Sequence, residues 1–141
     1  MAEKWVDQPL ALPKDPGAYL LWIRLKRAVR IPSHLGEKIG PALLLYAGSA
    51  YGPGGIRARC TRHLKQHKVP RWHVDSLTGG ASELRVLPVV GGNECRLVEK
   101  LRKTGRVSFP VPGFGSSDCT TCESHLLSPG KMTLQQVSEL C

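Results

Sequence analysis

The sequence predicts an α+β domain, a small, mostly antiparallel sheet flanked by helices. Three observations carry that expectation. GAYLLWIRL (17–25), ALLLYAGSA (42–50) and ELRVLPVV (83–90) are short apolar runs of strand character. After the second and third of them, apolar residues recur three or four apart, as they do on a helix. At 141 residues the chain suits one domain, able to bury about two thirds of its unfolded surface.

Residues 1–16 carry Pro9, Pro13 and Pro16 and little periodicity, so an extended lead-in is expected. In 17–25, Tyr19, Leu21, Ile23 and Leu25 fall on one side of a strand. VRIPSHLGEKIG (29–40) is turn-rich, with room for a short edge strand. The run 42–50 is apolar on both faces, which suits a central strand. Gly52, Pro53, Gly54 and Gly55 make a tight turn that opens a helix near Ile56. On that helix Ile56, Cys60 and Leu64 recur every four residues and define the buried stripe. Arg59 and His63 lie one turn apart beside it, flanked by Arg62 and Gln66, while Arg57, Lys65 and Lys68 face outward.

WHVDSL (72–77) suggests a second, short helix or an ordered loop. ELRVLPVV alternates as the third strand. NECRLVEKLRKTG (93–105) makes a helix with Cys95, Val98 and Leu101 inward, ended by Gly105. PGFGSSDCTTCESHLL (112–127) is a glycine-cysteine loop. The tail, 128–141, closes on a short helix whose Thr133-x-x-Gln136 spacing is a capping box.

Twenty Lys and Arg against eleven Asp and Glu give a net charge of +9, the balance of a protein that meets a polyanion. The charge is clustered. Arg57, Arg59, Arg62, Lys65, Lys68 and Arg71 follow one another with no acid among them, joined by His63 and His67, and Arg24, Lys26, Arg27 and Arg30 form a second group. This favours nucleic acid over a merely well-solvated surface. Lys or Arg interrupts every long apolar stretch, so no membrane span is expected. The N-terminus lacks the basic start and unbroken apolar stretch of a secretory signal, which points to the cytoplasm. Five cysteines in that setting argue against a disulfide framework and for thiols that are reduced, buried or metal-bound.

The chemistry-bearing residues converge. Pairing the first two strands brings Tyr19 and Tyr46 toward one end of the sheet, and the helix from Ile56 delivers Arg59 and His63 there. Glu94, in the first turn of a later helix, is the one nearby acid on a rigid mount. Two phenols, a guanidinium, an imidazole and a carboxylate are the groups that phosphodiester hydrolysis uses. A base deprotonates water, a cation balances the phosphate and a carboxylate holds a hard divalent metal. Taken singly, a strand tyrosine is a packing residue with a wet hydroxyl. An acid at a helix start is favoured by the dipole alone. The set, not any member, carries the reading.

Gly17-Ala18-Tyr19, Tyr46-Ala47-Gly48-Ser49, Arg59-x-x-Arg62-His63 and Glu94 at a helix start together resemble the GIY-YIG nuclease superfamily. WHVDSL, GPGG and PGFGSSDC are similar to its Uri-type branch, named for UvrC and intron-encoded endonucleases. The resemblance covers nearly all of residues 15–127. It implies that Tyr19 activates the attacking water and that Tyr46 positions the phosphate or shares the proton. It further implies that Arg59 steadies the scissile phosphate, His63 polarises the tyrosine or nucleophile, and Glu94 binds one Mg²⁺ or Mn²⁺. Both central Ile/Val positions of the family name are Ala here. The family's late asparagine has no match, because Asn93 is the only Asn and directly precedes Glu94. The longer Tyr19–Tyr46 spacing leaves room for an extra strand or loop.

The expected activity is therefore metal-dependent endonucleolytic hydrolysis, on DNA more than RNA, with Arg57, Arg62, Lys65, Lys68 and Arg71 as nucleic-acid contacts. A domain of this size has little surface for base readout, so a single-stranded, branched or damaged substrate in repair or processing fits better than a long recognition sequence. The competing classes are a nucleic-acid-binding module of the same fold without turnover, and an adaptor whose basic face meets an acidic protein. Glu99 is a fallback carboxylate. His73 and Asp75 are read either as a hydrogen-bonded pair behind the site or as a loop staple. Cys119-x-x-Cys122-x-x-His125 has ligand-like spacing and with Cys95 would complete four zinc ligands. Structural zinc normally shows two clear ligand pairs, so reduced thiols in a glycine loop are the expectation.

Overall fold

The computed structural model describes residues 4–65, 73–115 and 122–141. Along the chain run β1 (Gly17–Leu25), β2 (Val29–Arg30), β3 (Lys38–Ile39), β4 (Ala42–Ala50), α1 (Gly55–Leu64), α2 (Val74–Gly79), β5 (Glu83–Val90), α3 (Glu94–Lys103), β6 (Leu126–Leu127) and α4 (Leu134–Leu140). The architecture is α+β, as expected. A four-stranded sheet of order β5-β1-β4-β6 is antiparallel at every pairing. β1 and β4 occupy its middle, so both must be apolar on both faces. β1 packs Tyr19, Leu21, Ile23 and Leu25 against Ile56 and Cys60 of α1 and Val74 and Leu77 of α2. Its alternate residues Ala18, Leu20 and Trp22 pack against Leu97, Val98 and Leu101 of α3 and Val137 of α4. Leu20, Leu21 and Ile23 are wholly buried, and each such side chain contributes about 1.5–3 kcal/mol.

The extra length between the first two long strands forms a two-stranded ribbon, β2 against β3, with a 3₁₀ turn at Ser33–Leu35. α2 realises the WHVDSL helix from Val74 onward, Trp72 lying outside the described residues. α4 carries the capping box: the Thr133 side chain accepts from Gln136 N, and the Gln136 side chain accepts from Thr133 N.

Four expectations are corrected. The lead-in is not merely extended. Trp5 and Leu12 are buried, Val6 exchanges both backbone hydrogen bonds with Val86, and Pro9–Ala11 turns as 3₁₀. Isolated anchors of this kind leave no periodicity in a sequence. The stretch 112–127 is not all loop, because Leu126–Leu127 pairs with Tyr46 and Leu45 as a fourth strand. Two residues are too few to show an alternation. On α1 the buried set is Ile56, Cys60 and His63, with Leu64 only half-buried. At 3.6 residues per turn the seventh residue on returns to within about 20° of the first, whereas the eighth overshoots to about 80°. On α3 the buried set is Leu97, Val98 and Leu101, because Cys95 lies about 120° around the helix from Leu101 and Leu97 only about 40°; Cys95 is left half-buried.

Candidate active site

The β1–β4 register sets the site. Tyr19 lies opposite Gly48 and Leu21 opposite Tyr46, so the two tyrosines are diagonal neighbours on the sheet face that α1 covers. Tyr46 sits at the centre of β4 rather than toward one end of the sheet. A β-carbon at Gly48 would fall 2.3 Å from the Tyr19 Cζ and Oη. The glycine of Tyr46-Ala47-Gly48 is therefore the floor on which the other tyrosine's ring lies. Gly48→Ala is expected to push Tyr19 off its position, costing about 1–3 kcal/mol by overpacking. Urea denaturation checks this, and an unshifted midpoint would contradict it.

His63 enters between the phenols from α1. The Tyr19 hydroxyl and His63 Nε2 are 2.7 Å apart in a buried hydrogen bond. The His63 ring lies 5.4 Å from that of Tyr19 and 6.5 Å, edge-on, from that of Tyr46, which also meets Phe114 edge-on. Burial pushes the Tyr19 phenol well above its ordinary range, with Cys60, Tyr46 and Glu94 adding to the rise and Arg59 opposing it. Burial likewise pushes Tyr46 up to about 12, with Glu94 raising it and Arg59 lowering it. Both phenols are thus neutral in the resting protein, and both feel the Arg59 cation and the Glu94 carboxylate, with Asp75 adding to the rise at Tyr46.

Arg59 is half-buried and lines a groove of about 190 Å³ with Ala50, Gly52, Pro53, Gly55, Ala58 and Arg62. The first amides of α1 do not face this groove as donors. Ile56 N donates to Asp15 O and Arg57 N to Pro13 O, and Gly55 has no room for a β-carbon because Lys14 O would be 2.1 Å from it. Positive charge in the groove therefore comes from side chains rather than from a helix N-terminus.

Glu94 is the first residue of α3, held by Asn93, whose side chain caps the helix by accepting from Arg96 N. Its carboxylate is about a third exposed and stands 3.6 Å from His125 Nδ1. Upstream of it, Tyr51 donates its hydroxyl to Gly92 O at 2.5 Å, fastening the end of β4 to the turn that leads into α3. Glu99 instead pairs with Arg102 on the exposed flank of α3. Glu94, not Glu99, acts on both phenols.

The structure thus brings Tyr19, Tyr46, Arg59, His63 and Glu94 into one electrostatic unit. The expected nucleic-acid contacts divide. Arg57 does not face outward: its Nε donates to Leu12 O at 2.8 Å and it ties the lead-in to α1. Arg62 pairs with the wholly buried carboxylate of Asp75 at 2.7 Å. Lys65 is exposed at the C-cap of α1. Lys68 and Arg71 lie outside the described residues. The pairing of His73 with Asp75 is replaced by that of Arg62 with Asp75, and His73 stacks edge-on between His34 and Phe114. The roles of Tyr51 and His125 were missed. Tyr51 looks like a loop residue after a strand, and His125 was noted only for its spacing from the cysteines.

A family profile, Domain of unknown function DUF123, matches residues 18–141, which include every member of this set. The chain belongs to the DUF123 family. DUF123 is a GIY-YIG-like family, in keeping with the antiparallel sheet and flanking helices. The chain matches no curated protein and no solved structure. Among the described residues of this DUF123 domain no helix is long and apolar enough to cross a membrane.

Proposed function

We propose that this DUF123 chain is a metal-dependent endonuclease of the Uri-type GIY-YIG branch, hydrolysing phosphodiester bonds in DNA during repair or processing. The observation that carries this reading is the buried Tyr19–His63 hydrogen bond, with Arg59 and Glu94 acting on the same phenols. A buried tyrosine with a high pKa is a poor standing base. It becomes a competent one when a neighbour takes its proton as it takes another. With Nε2 of His63 unprotonated, Tyr19 passes its proton to His63 while accepting one from the attacking water. Tyr46 sits across His63 and orients the phosphate. Arg59 offsets the charge that builds on the phosphate oxygens as the bond to water forms.

Glu94 fits a hard cation. It is a carboxylate about a third exposed at a helix start, and Mg²⁺ or Mn²⁺ characteristically takes one or two protein carboxylates and completes its shell with water and phosphate oxygens. Bound there, the ion would supply Lewis-acid stabilisation of the phosphate and leaving oxygen. Lys65, the groove around Arg59 and the net charge of +9 favour a polyanionic substrate.

Incubation of the full chain with labelled single-stranded, branched and damaged DNA, and with RNA, tests the reading. Cleavage that needs Mg²⁺ or Mn²⁺ supports it. Salt-dependent binding with no product from any substrate would instead favour a binding module of the same fold.

A further inference from the structure

Behind Glu94 lies a second cluster that the phosphodiester chemistry does not use. Cys95 on α3, Cys122, and His125 just before β6 place one donor atom each within 4.8 Å of one another. We infer that Cys95, Cys122 and His125 form a zinc site, separate from the Mg²⁺ or Mn²⁺ position, and that this site positions Glu94 through the far nitrogen of His125.

The donor set has the right chemistry. Two thiols and an imidazole are soft and borderline ligands that select zinc over the hard magnesium or calcium ions. The spacing agrees. Cys95 Sγ and His125 Nε2 are 3.8 Å apart. Zn–S of about 2.3 Å and Zn–N of about 2.0–2.1 Å at a tetrahedral angle would separate the two donors by about 3.6 Å. Entry is open as well, because Cys95 and Cys122 line a groove of about 440 Å³ with Arg96, Phe109 and Glu123.

His125 is the second and independent observation. It is 2% exposed, and its Nδ1 has no hydrogen-bond partner. A buried imidazole nitrogen in that condition is costly without a further role. The backbone of His125 is locked on both sides, its N–H donating to Phe114 O and its carbonyl accepting from Ala47 N on β4. The ring therefore has a fixed aim. Nε2 points at the thiols, and Nδ1 faces Glu94 Oε2 at 3.6 Å. Metal ligation at Nε2 fixes the proton on Nδ1, which then donates toward the carboxylate, the arrangement in which a ligating histidine is oriented by an acid behind it. Glu94 and Cys95 are adjacent at the start of α3, so the zinc would clamp the helix end that carries the acid to the loop that carries His125. Cys119, the other half of the Cys-x-x-Cys pair, lies outside the described residues, and the assignment stands without it.

Metal binding is read without any nuclease assay. The full chain, purified with no added metal, is expected to carry about one zinc per molecule by elemental analysis. Exchange for Co²⁺ should give the visible absorption and thiolate charge-transfer band of a tetrahedral cobalt site, undisturbed by excess Mg²⁺. Cys122→Ser and Cys95→Ser should each abolish that spectrum. Glu94→Gln should keep it but weaken metal retention by about 10-fold or more against a chelator, as loss of an outer carboxylate does. Wild-type protein that copurifies with no zinc and gives no tetrahedral cobalt spectrum would overturn the site, a result that does not depend on any variant folding. Zinc retention unchanged in Glu94→Gln would overturn the link to Glu94. The role given to Glu94 rests on the nuclease reading, but the zinc measurements do not. A zinc-loaded chain that cleaves nothing would sink the nuclease reading and leave the site intact.

Discussion

Single-turnover cleavage by Tyr19→Phe is expected to fall by about 10²–10⁴-fold, the range over which a positioned acid–base group contributes. The substitution removes one oxygen from a fully buried ring and leaves the packing against Gly48, Leu21 and α1 in place. Among the described residues it loses the 2.7 Å bond to His63 Nε2. Leaving that nitrogen without its partner costs about 1–3 kcal/mol, which a thermal or urea melt measures separately from rate. DNA affinity should be unchanged, because a buried hydroxyl does not meet the phosphate chain in the ground state. A Tyr19→Phe protein that cleaves at the wild-type rate would return Tyr19 to the role of a core aromatic.

Arg62→Ala is expected to act on the fold. From position and charge alone Arg62 belongs to the phosphate-binding face, and its loss would chiefly weaken binding. The structure gives it another task. Its Nη2 is 2.7 Å from Asp75 Oδ2, with Asp75 fully buried and about a quarter of the Arg62 side chain exposed. Removing one partner of a buried pair costs about 3–5 kcal/mol, and the partial exposure of Arg62 favours the lower end. The urea midpoint should drop accordingly, and a double-mutant cycle with Asp75→Asn should show strong coupling. Stability within about 0.5 kcal/mol of wild type, together with weakened DNA binding, would restore the purely surface role.

Much of this domain was legible in the residues, and the reasons are specific. β1, β4 and β5 announced themselves because strands of eight or nine residues show their pattern plainly. α3 and α4 carried an N-terminal acid and a capping box. The candidate site could be picked out because its members are chemically unusual and sit on long, regular elements. What escaped was set by single contacts. Trp5 and Leu12 reach the core from a segment without period, and Leu126–Leu127 is a strand only because β4 offers an open edge. Arg57 and Arg62 look alike on a helical wheel, yet one meets the carbonyls of the lead-in and the other a carboxylate from α2. Cys95 was placed in the core by three-residue steps to Val98 and Leu101, whereas Leu97, four residues before Leu101, takes that place.

The central claim is that Tyr19, Tyr46, Arg59, His63 and Glu94 make an active site and not a phosphate-binding surface. Glu94→Gln separates the two most directly, because it keeps shape and hydrogen bonding while removing the charge a hard cation needs. Wild type and Glu94→Gln should be compared on one labelled DNA, by single-turnover cleavage in Mg²⁺ or Mn²⁺ and by binding titrated with salt. The account predicts that cleavage collapses in Glu94→Gln while affinity and its salt dependence are retained. Cleavage that persists, or cleavage and affinity that fall together, would contradict it.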